Sequence, residues 1–381
     1  MSAPPLTEAA LIVRSGRVEW TGPDRDLPAG LADGPELDAG GAVVLPGFVD
    51  SHTHAVWAGS RRAEFTARLA GQAYDGGGIA TTVAATRAAT AEELTTAAAA
   101  RLRAMMRAGT TTVEVKSGYG LTPESECRLL DVAAAAGVRA GVRVTTTYLG
   151  AHVVPDDRDR AEYVAEVIHA LPAARRHGAS WCDVFCDEGA FTVGEARRIL
   201  EAARAAGLGL RLHAEQLVHT GAARLAAELG CASADHLDHV DEADARALAA
   251  AGVVATVVPV VALYTRSAET GQARRLLDAG ATLALATDCN PGTAWCESMP
   301  LAVSLGCLTM GLSVDEALRA ATLGGAAALR RSDVGQLGVG ARADLVVLDA
   351  AHEADFVGHL GVQRPVRATV VGGIVAGVVA D

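Results

Sequence analysis

The sequence predicts a (β/α)8 TIM barrel carrying a small β-sandwich assembled from both chain ends. Three observations predict it. Between residue 46 and about residue 330, eight short β-branched runs alternate with Ala-rich stretches, the pattern of repeated βα units and the length of such a barrel. The two ends, 6–45 and 335–381, carry short alternating strands with Gly-rich turns, such as LIVRSGRVEW and RATVVGGIVAGVV. Histidines and an aspartate, out of place in apolar surroundings, fall where strands end, the face on which such barrels carry chemistry.

The eight barrel strands are expected at 48–52, 111–115, 143–149, 182–187, 208–213, 233–236, 253–258 and 282–287. Each is short, apolar and bounded by turn residues. Between them, Thr90 with Glu93, Thr192 with Glu195 and Ser313 with Glu316 have the spacing of capping boxes, which start helices. Gly109, Gly137 and Gly207 are expected to close Ala-rich helices just before the next strand. Each chain end alone holds too few strands for independent stability. Residues 1–45 and 335–381 are therefore expected to combine into one composite β-domain beside a barrel of residues 46–334.

Half of the 381 residues are hydrophobic and 20% are charged, which excludes wholesale disorder. Lys+Arg 33 against Asp+Glu 45 leaves a net charge of −12, so there is no general attraction to nucleic acid or anionic lipid. The longest apolar run, 253–263, is too short to cross a bilayer, and the first residues lack a basic segment followed by a long apolar one. A soluble, cytoplasmic protein with a small-molecule substrate is expected. Seven scattered cysteines form no disulfide framework and suit a reducing compartment. Cys182 and Cys186, on one face of a strand, are read as core packing.

Chemistry concentrates at the strand ends. His52 and His54 are two residues apart, so both rings point into the barrel mouth, a spacing that can chelate one metal. His213 ends GLGLRLH, His236 ends SADH and Asp288 follows LALAT, each after an apolar strand. Three imidazoles and one carboxylate make a site suited to Zn²⁺ or Fe²⁺ with room for a water. His169, His177, His219, His239, His352 and His359 lack this placement and read as surface or packing residues.

With these residues in view, the sequence resembles the amidohydrolase superfamily of metal-dependent barrel hydrolases and, within it, the imidazolonepropionase family. The resemblance runs from about Leu11 to Val375 and is carried by PGFVDSHTHAVWAGSR, GGGI at 76–79, TRAAT, GTTTVEVKSGYGL, LGAH, RLHAEQ, SADHL and ATDCNPGT. It implies one Zn²⁺ or Fe²⁺/Fe³⁺ per chain on His52, His54, His213 and Asp288, with His236 and Asp288 catalytic. It further implies substrate contacts from Arg61, Tyr74, Tyr119, His152, Gln216 and Thr293, with Asn290 and Gly292 on the product side, and adds a homodimer as an expectation. Gln216 departs from relatives that carry a glutamate there, with Glu215 next to it as a substitute that points elsewhere. The implied reaction opens the ring of 4-imidazolone-5-propanoate to N-formimino-L-glutamate, a step of histidine degradation.

Two other readings compete with this one. A deaminase of cytosine- or guanine-like bases uses a similar histidine and aspartate set, but wants a glutamate just after the third histidine. A non-catalytic scaffold on a retired barrel would typically have lost metal ligands, whereas this chain keeps the full set. Its single lysine, Lys116, lies on an early strand and is out of place for the carboxylated lysine that bridges two metals in other superfamily members, so a mononuclear centre is expected.

Overall fold

A computed structural model of the chain describes residues 5–71, 78–266, 272–361 and 365–378. Eight strands form one sheet in strict chain order: β4 (Phe48–Asp50), β5 (Thr110–Lys116), β6 (Arg143–Ala151), β7 (Trp181–Cys186), β8 (Gly209–Ala214), β9 (Ser233–His236), β10 (Val254–Val257) and β11 (Leu283–Leu285). Every neighbouring pair is parallel. The sheet closes on itself just past the strands, where Asp288 N–H donates to His52 O at 3.0 Å and His54 N–H donates to Cys289 O at 3.0 Å. This is the (β/α)8 barrel that the alternating pattern predicts.

Buried on both faces, the strands read as apolar runs, and the charges among them stand out. All seven residues of β5 are buried, Glu114 and Lys116 included. Cys182 and Cys186 are buried and free, as packing residues should be.

Helices run where the caps announce them. The capping boxes at Thr90, Thr192 and Ser313 are all formed and start the helices Ala91–Arg107, Val193–Ala205 and Val314–Arg319, each cap worth about 1 kcal/mol. The expected stop at Gly137 is corrected: helix Pro123–Ala140 runs through it and ends at Gly141, whose φ of +73° is the left-handed conformation a stop requires. Gly137 is instead buried in the helix, because a Cβ there would come within 2.5 Å of Val144. The first strand is also shorter than expected, ending at Asp50, so His52 lies on the turn beyond it.

Strands from both chain ends pair with one another. β3 (Val44–Pro46), β12 (Leu345–Leu348), β13 (Val366–Val371) and β14 (Ile374–Val378) form a sheet in the order β14-β13-β12-β3. β1 (Ala9–Arg14) and β2 (Arg17–Pro23) form a hairpin. Leu345, Val347, Ala368 and Val370 of the sheet pack against Leu11 of the hairpin, an apolar layer between the two. Thr369 ties this sheet to the barrel by donating to Met106 O at 2.8 Å.

Candidate metal centre and active site

Strand register brings the predicted residues together. β8 and β9 pair His213 with Asp235 and Ala214 with His236, while the closing bonds above hold His52 and His54 beside Asp288. His236 and Asp288 adopt positive φ, +78° and +49°, and so does Glu215 at +55°. Non-glycine residues held this way cost about 1–3 kcal/mol each and cluster at functional sites. Of the three, His236 and Asp288 face the cavity at the barrel mouth.

Four donor atoms converge. His54 Nε2 and His213 Nε2 are 3.4 Å apart, and Asp288 Oδ1 lies 3.5 Å from His52 Nε2 and 3.4 Å from His54 Nε2. A tetrahedral ion with bonds of 2.0–2.1 Å has ligand-to-ligand edges of about 3.4 Å. These three separations match the edges of such a site, and the donors fall into two close triads that share His52: His52, His54 and His213, and His52, His236 and Asp288. His52 Nε2 and Asp288 Oδ1 are buried with no hydrogen-bond partner among the described residues, and an orphaned pair of that kind is costly unless something binds it. His236 comes to the same place, with a ligand atom within 4.8 Å of those of His52 and Asp288.

The imidazoles have the protonation and orientation a metal ligand requires. Burial, then the positive charge of Lys116, pushes His52 well below the ordinary histidine range, and burial followed by neighbouring His152 does the same for His54. Both rings stay neutral. His52 Nδ1 donates to Asp235 Oδ2 at 2.7 Å, which turns its Nε2 lone pair to the centre. Asp183 Oδ2 lies 3.0 Å from His213 Nδ1, and Asp183 Oδ1 accepts from His213 N–H at 3.2 Å. Burial alone would raise both acids, but Arg211 and Lys116 hold Asp235 below the ordinary carboxylate range, and His213 and Lys116 hold Asp183 well below it. Asp288 differs: in the metal-free chain burial pushes it well above that range.

Beside the donors opens a cavity of about 630 Å³, within the range of small-molecule sites. Arg61, Tyr119, His152, Gln216, Asn290 and Thr293 line it with His54, His213, His236 and Asp288. His152 donates from Nδ1 to Gly118 O at 2.8 Å and stacks on His54 with centroids 5.0 Å apart. Burial, reinforced by His213, lowers its pKa to about 3, so Nε2 is left as an acceptor. Arg61 is 7% exposed and grips Glu64 through Nε at 2.7 Å and Nη2 at 2.8 Å.

Not every expected contact is in the wall. Gly292 lies behind Arg61, where a Cβ would fall 2.3 Å from Arg61 Nη1, so only glycine lets the guanidinium pack there. Asn290 accepts from Gly292 N–H at 2.8 Å and Thr293 N–H at 2.7 Å, building the turn that shapes this wall. Tyr74 lies outside the described residues. Glu215 does not substitute for a glutamate at position 216: its carboxylate accepts from Thr220, Gly221 and Ala223 N–H at 2.6 to 3.1 Å. Glu215, His219 and Asp244 also approach one another, but His219 Nε2 sits 3.0 Å from Asp244 Oδ2 and Arg224 grips the other oxygen, so that cluster is closed by its own bonds.

Sequence reasoning missed the residues beneath the site. Asp183, Asp235 and Arg211 are buried charges in strands that otherwise read as apolar. That mismatch was the available signal. It also missed Glu126, which accepts from Gly118, Gly120 and Leu121 N–H, each at 2.7 Å, and so fixes the loop that carries Tyr119.

The amidohydrolase family model matches residues 43–378. The chain is 54% identical to the imidazolonepropionase of Salinispora arenicola over 346 residues, covering 90% of this chain and 86% of that one. It is 49% identical to the imidazolonepropionase of Streptomyces avermitilis, covering 94% and 84%. Among solved structures, 5-methylcytosine deaminase from Klebsiella pneumoniae superposes with a TM-score of 0.75 at 17% identity, covering 99% of this chain and 96% of that one. A zinc-bound adenosine deaminase from Xanthomonas campestris gives 0.73 at 21%, covering 97% and 88%. At those identities the two deaminases speak for the fold alone. The chain belongs to the amidohydrolase family of metal-dependent hydrolases, in its imidazolonepropionase branch.

Proposed function

We propose that this chain hydrolyses 4-imidazolone-5-propanoate to N-formimino-L-glutamate, a ring-opening step in histidine degradation. The observation that carries the reading is a four-donor centre beside a cavity that holds one buried arginine, Arg61, and one neutral acceptor histidine, His152. The curated relatives at about half identity bear the same activity in their names.

His52, His54, His213 and Asp288 would hold one Zn²⁺ or iron ion per chain. When bound, such an ion acts as a Lewis acid and brings the ionisation of water towards neutral pH. Asp288 accepts the proton from the attacking water and later delivers it to the ring nitrogen that departs as the C–N bond breaks. His236, kept neutral chiefly by burial, donates a hydrogen bond to the carbonyl oxygen as it gains negative charge. Arg61 grips the propionate through its planar fork. His152 Nε2 accepts from a ring N–H, Tyr119 packs beside it with centroids 5.4 Å apart, and Gln216, Asn290 and Thr293 complete the wall. Gly292 serves by leaving room for Arg61.

The deaminase alternative requires a carboxyl group at position 216 to protonate a ring nitrogen. Gln216 cannot do this, and Glu215 is spent on backbone N–H groups. Turnover of imidazolonepropanoate should vanish on chelation and return on reloading with about one equivalent of metal. Two tightly held metals per chain would contradict the mononuclear reading.

A further inference from the structure

Lys116 is the only lysine in the 381 residues, and its side chain is wholly buried. Its Nζ lies 2.7 Å from Asp183 Oδ2, 3.0 Å from Glu114 Oε1 and 3.8 Å from Asp235 Oδ2. Each of these carboxyl groups also touches the metal centre's framework. The same Asp183 oxygen lies 3.0 Å from His213 Nδ1. The same Asp235 oxygen accepts from His52 Nδ1 at 2.7 Å. Glu114 accepts from the backbone N–H of Thr53, between His52 and His54, at 3.2 Å.

Three carboxyl groups thus crowd beneath the donors, faced by two cations, Lys116 and Arg211. Arg211 reaches Asp235 at 3.2 Å and spends its other bonds on the carbonyls of Ser51 and Ala328. Among the described contacts, Lys116 is the cation that reaches Asp183. Desolvating so many charges is expensive, and a well-packed apolar replacement often stabilises a fold as well or better. Stability alone is therefore a weak reason for the cluster.

We propose that Lys116 is a positioning residue for the metal centre: it holds Asp183 and Asp235 where each braces one ligand imidazole, so that His213 and His52 present Nε2 to a divalent cation. The inference rests on the metal-centre reading above. Without the ammonium, Asp183 and Asp235 repel each other across the space Lys116 fills, and the His213 ring loses the brace that sets its orientation.

The test is Zn²⁺ affinity, measured by competition with a colorimetric chelator on metal-free protein, alongside the apo unfolding midpoint. Wild type is compared with Lys116→Met and with Lys116→Met/Glu114→Gln. The double variant removes one charge of each sign, so it guards against a single variant that fails to fold, and its glutamine keeps an oxygen for Thr53 N–H. Both variants, assayed well below their apo midpoints, should bind Zn²⁺ about 10- to 100-fold more weakly, the usual effect of removing support behind a ligand. The double variant should recover apo stability without recovering affinity. A folded double variant that binds Zn²⁺ within twofold of wild type would overturn the proposal and leave Lys116 a stabiliser of the fold. Wild type without tight Zn²⁺ would overturn the metal-centre reading itself, and this inference with it.

Discussion

Replacing Arg61 by methionine should raise KM for imidazolonepropanoate strongly and leave metal content unchanged. Arg61 is 7% exposed and its guanidinium is held by Glu64 at 2.7 and 2.8 Å, so it meets a substrate carboxylate already oriented and largely stripped of water. Hydrogen bonds to charged groups are worth about 1.5–3 kcal/mol each, and the second bond of a fork adds less than the first because the pair is ordered together. A net loss of about 3 kcal/mol corresponds to roughly a hundredfold in kcat/KM. Because the propionate is bound alike in the ground and transition states, most of that should appear in KM. Initial rates for imidazolonepropanoate and for a 4-imidazolone bearing an ethyl group in place of the propionate separate the effects, since the second substrate should lose almost nothing. Gly292→Ala offers an independent check. Its Cβ would fall 2.3 Å from Arg61 Nη1 and displace the fork without deleting it, so KM should rise again. An equal loss for both substrates, or kcat/KM within threefold of wild type, would refute the reasoning and leave Arg61 as a clamp for Glu64.

Asp288→Asn should fold, since it keeps size and shape, yet lose nearly all turnover because an amide cannot take the proton; wild-type kcat in a metal-loaded sample would contradict that role. His236→Ala should lower kcat by about 10²-fold through loss of an oxyanion donor, read in steady-state kinetics at saturating substrate. Glu126→Ala should strand three buried N–H groups, costing on the order of 3 kcal/mol or more, and raise KM as the Tyr119 loop loosens, which denaturant unfolding and kinetics would show together. His152 titrates at about 3 in the folded chain but near 6.5 when unfolded. Below pH 6.5 the unfolded state therefore binds the extra proton, so stability of the metal-free protein is full above that pH and declines as pH falls towards 3. In unfolding measurements across this window His152→Gln should show a shallower decline, and an unchanged slope would count against a neutral histidine at this position.

The barrel was legible because its strands alternate with capped Ala-rich helices, a local pattern that needs no knowledge of distant contacts. Thr90, Thr192 and Ser313 cap as their spacing indicates. Gly137 misled because glycine has two uses: the helix ends at Gly141 by conformation, whereas Gly137 serves close packing on Val144, a contact made by the fold. The donor histidines and Asp288 could be picked out because each ends an apolar run. Asp183 and Asp235 could not be assigned in the same way, since their partners His213 and His52 are 30 and 183 residues away and depend on strand register, while Glu126 binds N–H groups 5 to 8 residues away in a loop whose shape no local pattern gives. Gly292 shows the same limit. A glycine in a turn is readable, but its closeness to an arginine more than two hundred residues earlier is not.

The most direct test of the central claim is product analysis of metal-loaded enzyme acting on 4-imidazolone-5-propanoate in ¹⁸O-labelled water. Water attack on the ring carbonyl predicts N-formimino-L-glutamate with one labelled oxygen in its new carboxylate, no ammonia, and no product after chelation. Ammonia release from cytosine or guanine, with the imidazolone left intact, would contradict the account.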